Sequence, residues 1–226
     1  MKITVKKLIH TLWLALASLL ALPAAAQNTK ITLGGISDSS GTVVTGNLAW
    51  KNEAIENARW SRYVDANSIY RRSEGTDNRN ELNVIGKLQY DLDEKNYLQT
   101  AVRYEYNKFG QSPNKVVAGF GHGYHAIKSE RARLSFETSL AQAFGSGLNQ
   151  LVFRESVWAS YKFSEKSEIS NKLLYERGGL FRQVRNVLAL NYQFTDSVLA
   201  SLVSTRVLDR LSPNTRVISV NLGVSF

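Results

Sequence analysis

The feature that most restricts this chain is the length of its alternating runs. From Gln27 onward, stretches of about 12–14 residues set apolar and polar side chains in turn, against about 5–6 residues for a strand of an ordinary globular sheet. In 96–109, Leu98, Thr100, Val102, Tyr104 and Tyr106 share one face, and Gln99, Ala101, Arg103, Glu105 and Asn107 share the other. In 79–92, Leu82, Val84, Gly86, Leu88 and Tyr90 oppose Asn83, Lys87, Gln89 and Asp91. In 131–144, Ala132, Leu134, Phe136, Thr138 and Leu140 oppose Arg133, Ser135, Glu137 and Ser139. Successive side chains of a strand point to opposite sides, so each run is a strand with one apolar and one polar surface. No stretch after Gln27 sustains helical spacing.

A soluble sandwich alternates too, with its apolar faces turned to an inner core. A barrel in a membrane turns the apolar face to lipid and lines its lumen with the polar one. A tilted strand needs about 9–11 residues to cross a bilayer, so the run lengths favour the barrel. Candidate strands lie near 30–37, 42–54, 59–72, 79–92, 96–109, 114–127, 131–144, 150–163, 167–178, 182–194, 197–208 and 214–226. The expected fold is all-β: an antiparallel transmembrane β-barrel of about twelve strands, or about ten if the short 30–37 run is not a strand. One run alternates badly: Glu155 falls with Phe153, Val157 and Tyr161, while Trp158 falls on the polar face. A carboxylate facing lipid is costly, which suggests a bulge or a shifted register there.

The two ends of the chain agree with a membrane destination. Lys2, Lys6 and Lys7 precede a mostly apolar Leu8–Leu22 stretch, and Ala24, Ala25 and Ala26 precede Gln27. This reads as a secretory signal peptide over 1–26, with the barrel over 27–226. The chain contains no cysteine, which excludes disulfides, cysteine metal sites and a thiol-linked lipid anchor. At the other end, Ile218, Val220, Leu222, Val224 and Phe226 share a face opposite Ser219, Asn221, Gly223 and Ser225. Val220, Leu222, Val224 and the final Phe226 resemble the assembly signal that the barrel-assembly machinery reads in bacterial outer-membrane barrels. The departure is Gly223, three residues before the end instead of five. With the last strand running inward, the turns near 55–58, 93–95, 128–130, 164–166 and 195–197 fall in the periplasm. The other connections fall outside, and most of them are expected to be longer or richer in Gly, Ser and Asn. Aromatic residues gather near both sets: Tyr90, Tyr97, Tyr161, Phe163, Tyr192, Phe194 and Phe226 inside, Tyr70, Tyr106, Phe109, Phe144, Phe153, Tyr175 and Phe181 outside, as two interfacial girdles.

Short motifs in these strands resemble a known family. Thr45-Gly46-Asn47 is similar to a Ser/Thr-Gly-Asn signature, and Val117-Ala-Gly-Phe-Gly-His-Gly-Tyr124 to a glycine-rich strand ending in Gly-Tyr. Ala132–Glu137 and Val220–Phe226 also fit. The family is the salt-induced outer-membrane protein family, domain of unknown function 481. The resemblance implies an outer-membrane β-barrel, brings no catalytic or binding residues with it, and attaches salt as a label without a mechanism.

Charge supplies the remaining candidates. The chain has a formal net charge of +9. Arg71, Arg72, Arg79, Lys108, Lys115, Arg177, Arg182, Arg185, Arg210 and Arg216 fall near the outer connections. Arginine binds phosphate through a planar fork. The expected partner is therefore lipopolysaccharide, gripped by a rim that includes Arg71, Arg72 and Arg182; a solvated basic rim is the plainer reading. The expected lumen charges are Lys87, Arg103, Glu105, Arg133 and Glu137, with Asp91, Lys162, Lys172 and Glu176. They either line an aqueous path or pair and close it, and closure is slightly favoured. About eight strands give a filled interior and 16–18 a channel, so twelve leaves conduction open.

Catalysis is not expected. His122, on the glycine-rich strand, falls opposite about Phe136 on one side and about Thr100 or Val102 on the other, with no serine nucleophile beside it. Gly119, Gly121 and Gly123 share a strand face with no helix following, so they do not cradle phosphate. No metal, cofactor or nucleic-acid partner is expected. The expected function is that of a non-catalytic envelope barrel of the bacterial outer membrane, structural or lipopolysaccharide-interacting. The alternatives are a narrow diffusion channel for ions or small solutes and a secreted soluble barrel.

Overall fold

The computed structural model describes residues 29–38, 41–52, 59–73, 76–109, 113–145, 147–179, 182–210 and 215–225. The signal peptide expected over 1–26 and the terminal Phe226 lie outside them. The described chain folds into twelve strands: β1 (Thr29–Asp38), β2 (Gly41–Asn52), β3 (Trp60–Ser73), β4 (Thr76–Asp91), β5 (Asn96–Asn107), β6 (Asn114–Lys128), β7 (Ala132–Gly145), β8 (Leu148–Lys162), β9 (Ser167–Gly178), β10 (Arg182–Gln193), β11 (Val198–Asp209) and β12 (Thr215–Ser225). Each pairs antiparallel with its sequence neighbours, and β12 pairs with β1, so the sheet closes into a barrel. The run at 30–37 is a strand, which gives twelve strands instead of ten.

The barrel is apolar outside and polar inside. Phe120 is 71% exposed and Leu222 62%, whereas Arg103 and Glu176 are 0% exposed. In water this would be an inverted protein; in a bilayer the outward Val102, Phe120, Leu140, Leu188, Leu202 and Val220 meet lipid of their own kind. Closure leaves no sheet edge for lipid to strand, which is why a spanning sheet must be a barrel. The closing seam is short. β1 meets β12 over five residue pairs, Lys30 opposite Ser225 to Gly34 opposite Asn221, against ten pairs between β1 and β2. Among the described residues, Thr215–Val220 of β12 pair with β11 but not with β1.

We call the end that holds the start of β1 and the finish of β12 the terminal end, and the other the far end. Four connections at the terminal end are closed by a side chain. The Asp93 carboxylate accepts from the backbone N–H of Lys95 (2.8 Å) and Asn96 (2.7 Å). Ser129 Oγ bridges to the backbone of Ala132, Ser164 Oγ accepts from Lys166 N, and Thr195 Oγ1 accepts from Ser197 N and Val198 N. These three-to-four-residue turns use Asp, Ser and Thr because a short side-chain acceptor stands in for a missing ladder partner. The N–H groups that surround Asp93 hold its carboxyl below the usual carboxylate range.

Three expectations are corrected. The far-end connections are not the longer ones. By the strand bounds, 39–40, 74–75 and 146–147 are two residues each, against six at 108–113 and five at 210–214; at 74–75 and 146–147 this is because β3, β4, β7 and β8, of 14 to 16 residues, run almost to their tips. A strand of that length exceeds what the bilayer needs and projects beyond it. Gly147 turns one such tip with φ 72°. Nor is there a bulge in β8: the ladders on both its sides run without a shift, so Glu155 does face outward and Trp158 inward. The register shifts fall between Arg71 and Arg72 in β3 and between His125 and Ile127 in β6. Finally, Tyr97 belongs to no girdle. It faces the lumen at 1% exposure, while Trp60–Tyr90, Tyr161–Phe163 and Tyr192–Phe194 form tilted or edge-to-face ring pairs at the terminal end.

Candidate functional site

Alternation decides which charges enter the lumen, and the barrel's diameter decides which meet. Arg103 and Glu105 of β5 point inward toward the far end. Arg103 forms an ion pair with Glu176 of β9 through its Nη2, and its Nε lies 3.3 Å from Glu105. Arg154 Nε of β8 lies 3.1 Å from the other oxygen of Glu176. Glu105 also takes Lys115 of β6 and Arg185 Nη2 of β10, the latter at 3.0 Å. Lys115 lies 3.9 Å from Asp209 of β11, whose carboxylate accepts from Gln183 at 2.9 Å. In a ring of twelve, β5 and β10, like β6 and β11, stand nearly opposite. These contacts therefore cross the interior and brace it. Arg103, Lys115, Arg154 and Arg185 meet Glu105, Glu176 and Asp209, so charge is nearly balanced. Val117, Ala141, Ala143, Leu148 and Val152 pack beside them as a small buried apolar cluster inside the barrel.

The terminal-end half of the lumen is looser. Glu137 accepts from Lys87, from Tyr97 Oη (2.8 Å) and from Ser156 Oγ (2.9 Å). The Tyr97 ring lies 4.7 Å from the His125 ring, whose Nδ1 shares a 2.8 Å hydrogen bond with Ser135 Oγ. Gly123 lies directly beside Tyr97: a Cβ there would overlap the Tyr97 ring, so the glycine-rich strand clears room for the tyrosine. Cavities remain beside these groups. One, of about 460 Å³, is lined by Lys87, Tyr97, Gln99, Glu137, Ser156 and neighbours. Another, of about 650 Å³, runs from the turns at Glu130 and Ser164 to Thr45, Thr205 and Val217 in the far half. Tyr63, Arg133, Trp158 and Lys172 line both.

The basic rim is redistributed. Lys115 and Arg185 are inside, in the brace, and Arg71 lies on the lumen-facing side of β3 with a buried Nε. Arg72 and Arg182 are exposed. The densest outward group is on β9–β12. Arg177 of β9 stands opposite Arg182 of β10, the Arg210 N–H donates to the Arg182 carbonyl (3.0 Å), and Arg206 of β11 stands opposite Arg216 of β12. All five are exposed. Arg206 was not singled out from the sequence, because it lies three residues inside its strand and away from any connection. Its signal was there in Arg206 and Arg216, which become neighbours once the 210–214 hairpin is drawn. His122 is exposed, opposite Thr138 and Leu98 and not the residues expected; the unshifted β5–β6 ladder, which closes at Tyr106 opposite Asn114, sets Leu98, and the one-residue shift at His125–Ile127 sets Thr138. Val220, Leu222 and Val224 are exposed on the outer face of β12.

A family model described as "Protein of unknown function, DUF481" matches residues 33–226. No curated protein matches the chain. Among solved structures, the NanC porin is 14% identical with a TM-score of 0.56, over 88% of this chain and 98% of that one. An outer membrane channel from Pseudomonas putida F1 is 13% identical with a TM-score of 0.53, over 91% and 96%. The KdgM porin is 12% identical with a TM-score of 0.51, over 88% and 99%. The likeness is one of fold: this barrel is of the outer-membrane type.

Proposed function

Because the chain belongs to the family DUF481, proteins of unknown function, we propose its role from the chemistry of its own surfaces: a non-catalytic outer-membrane barrel whose far-end arginines hold the phosphates of lipopolysaccharide. The observation that carries this reading is the pair of like-charged cross-strand partners, Arg177 with Arg182 and Arg206 with Arg216. Like charges directly opposite destabilise a sheet unless something neutralises them. Among the described residues no acid pairs with any of these arginines, and Asp209 of the same hairpin is turned inward. A phosphate accepting from two guanidinium forks supplies the missing counter-charge. The reading sets the far end outside, in the phosphate layer of the outer leaflet. Such contacts at an exposed rim weaken with ionic strength, which gives the salt label of the resemblance a physical counterpart.

The test is lipopolysaccharide retained on the purified barrel, measured for wild type and for R177Q/R182Q and R206Q/R216Q. Retention should fall several-fold in each double variant and further in the combined one. Wild-type retention in the combined variant would refute the reading. A second reading, a narrow diffusion path, is favoured by the 650 Å³ cavity that runs beside the brace from Glu130 to Thr205, and by the names porin and channel that the solved relatives carry. Stepwise conductance in a planar bilayer would support it, and insertion without conductance would dismiss it.

A further inference from the structure

One feature of the lumen serves neither the brace nor the arginine rim. Trp158 projects into the interior from β8 and is 37% exposed there, on a wall that it shares with polar side chains and with Leu174. Its ladder partners are Ser135 on one side and Lys172 on the other. Arg133, one inward position along β7 from Ser135, is exposed. Indole, ammonium and guanidinium thus share one patch of wall, and Ser160 and Ser170, opposite one another, continue it toward the terminal end. The patch lies where the two cavities meet.

The two cations differ from the others deep in the lumen. Lys87, Arg103, Lys115, Arg154 and Arg185 each have a carboxylate partner. Lys172 and Arg133 have no ion pair among the described residues. The Lys172 ammonium lies 5.7 Å from the centre of the Tyr63 ring. The acid that faces it, Asp65, is held by Tyr63 Oη (2.7 Å) and Asn67 Nδ2 (3.2 Å) instead. Two cations without a carboxylate beside an open aromatic face have a definite complement. It is a ring with an apolar C–H face for the indole, a carboxylate for Lys172 and Arg133, and hydroxyls for the serines. The cavities are of the size that holds small ligands.

We propose that the lumen carries a binding site for a carboxylated sugar, with Trp158 as the stacking platform and Lys172 and Arg133 as the carboxylate partners. The site is independent of the lipopolysaccharide reading, since it faces the opposite side of the sheet. Intrinsic fluorescence of the mature chain refolded in detergent tests it, with D-glucuronate, D-glucose and acetate as probes. Glucuronate should change the emission saturably, and glucose and acetate should need at least roughly tenfold higher concentrations for the same change. Trp158→Phe should abolish the response although Trp50 and Trp60 remain. Lys172→Gln should weaken binding, and Lys172→Arg, which keeps the charge, should retain it; slow migration of both variants after heating on a gel, against the compact unheated band, verifies folding. Equal responses to glucose and glucuronate, an equal response to acetate, a full response in Trp158→Phe, or no saturable response in the wild type would each overturn the proposal.

Discussion

Glu176→Gln is the substitution that tests the brace most directly. Glu176 is wholly buried and takes two cations, Arg103 and Arg154. Its amide replacement keeps the volume and removes the charge. Arg103, also wholly buried, is then left with Glu105 alone, which already serves Lys115 and Arg185. Arg154 loses its acid altogether. Breaking a buried pair from one side costs about 3–5 kcal/mol, because the surviving charge is stranded. Arg154 is partly wetted by the lumen and the glutamine amide still accepts a hydrogen bond, so the lower end of that range, about 3 kcal/mol, is expected. Urea unfolding in lipid vesicles reads this as a midpoint lowered by roughly 1–3 M, from a dependence of about 1–3 kcal/mol per molar. The double variant R103Q/E176Q removes both buried charges and should be less destabilised than the sum of the single variants, by about 0.5–3 kcal/mol. A single-variant shift below about 0.5 kcal/mol, or strict additivity, would refute the cross-lumen brace.

The seam and the turns yield further expectations. The backbone N–H groups of β12 between Thr215 and Val220 that point toward β1 should exchange with deuterium at least roughly tenfold faster than those of the β7–β8 ladder, and uniform protection would contradict the short closure. Asp93→Ala should lower the stability of the β4–β5 hairpin near neutral pH. The folded carboxyl is depressed, so its contribution is present above the unfolded carboxyl's pKa and is lost as pH falls through the lower folded value. Thermal unfolding of wild type and variant should therefore converge in strong acid, and a constant difference down to that range would exclude the carboxylate as the cause.

Much of the architecture could be read from residues alone because a barrel strand obeys one local rule, alternation, over a length that few other folds use. The alternating faces of β4, β5 and β7 follow from that rule without tertiary information. What the rule omits is where alternation slips and which strands face each other across the lumen. The shift at His125–Ile127 is one extra residue in an otherwise regular β6, and it moves the β7 partner of His122 by one. Nothing local marks Ala126 as that residue. The pairing of Glu105 with Arg185 spans 80 positions and depends on closure of the ring, a property of the whole sheet.

The same rule explains why charge near a strand end was hard to assign. Arg182 and Arg185 stand three residues apart on β10, an odd spacing, so one meets the outside and the other the lumen. Counted by distance from the nearest connection they look alike; counted by parity they belong to different chemistries. The inward one finds a carboxylate because the lumen is narrow enough for β5 and β10 to touch. The outward one faces Arg177, and closure of the barrel carries no acid toward it. A net basic chain thus neutralises most of its deep interior and, among the described residues, leaves cations without an ion pair at the far-end rim and on the wall around Trp158. A purely structural barrel has no need to leave cations unmatched at either place, since an inward acid at Ser160 or an outward one at Ser204 would be a small steric change. Both surfaces are therefore the places to look for the anions this protein meets.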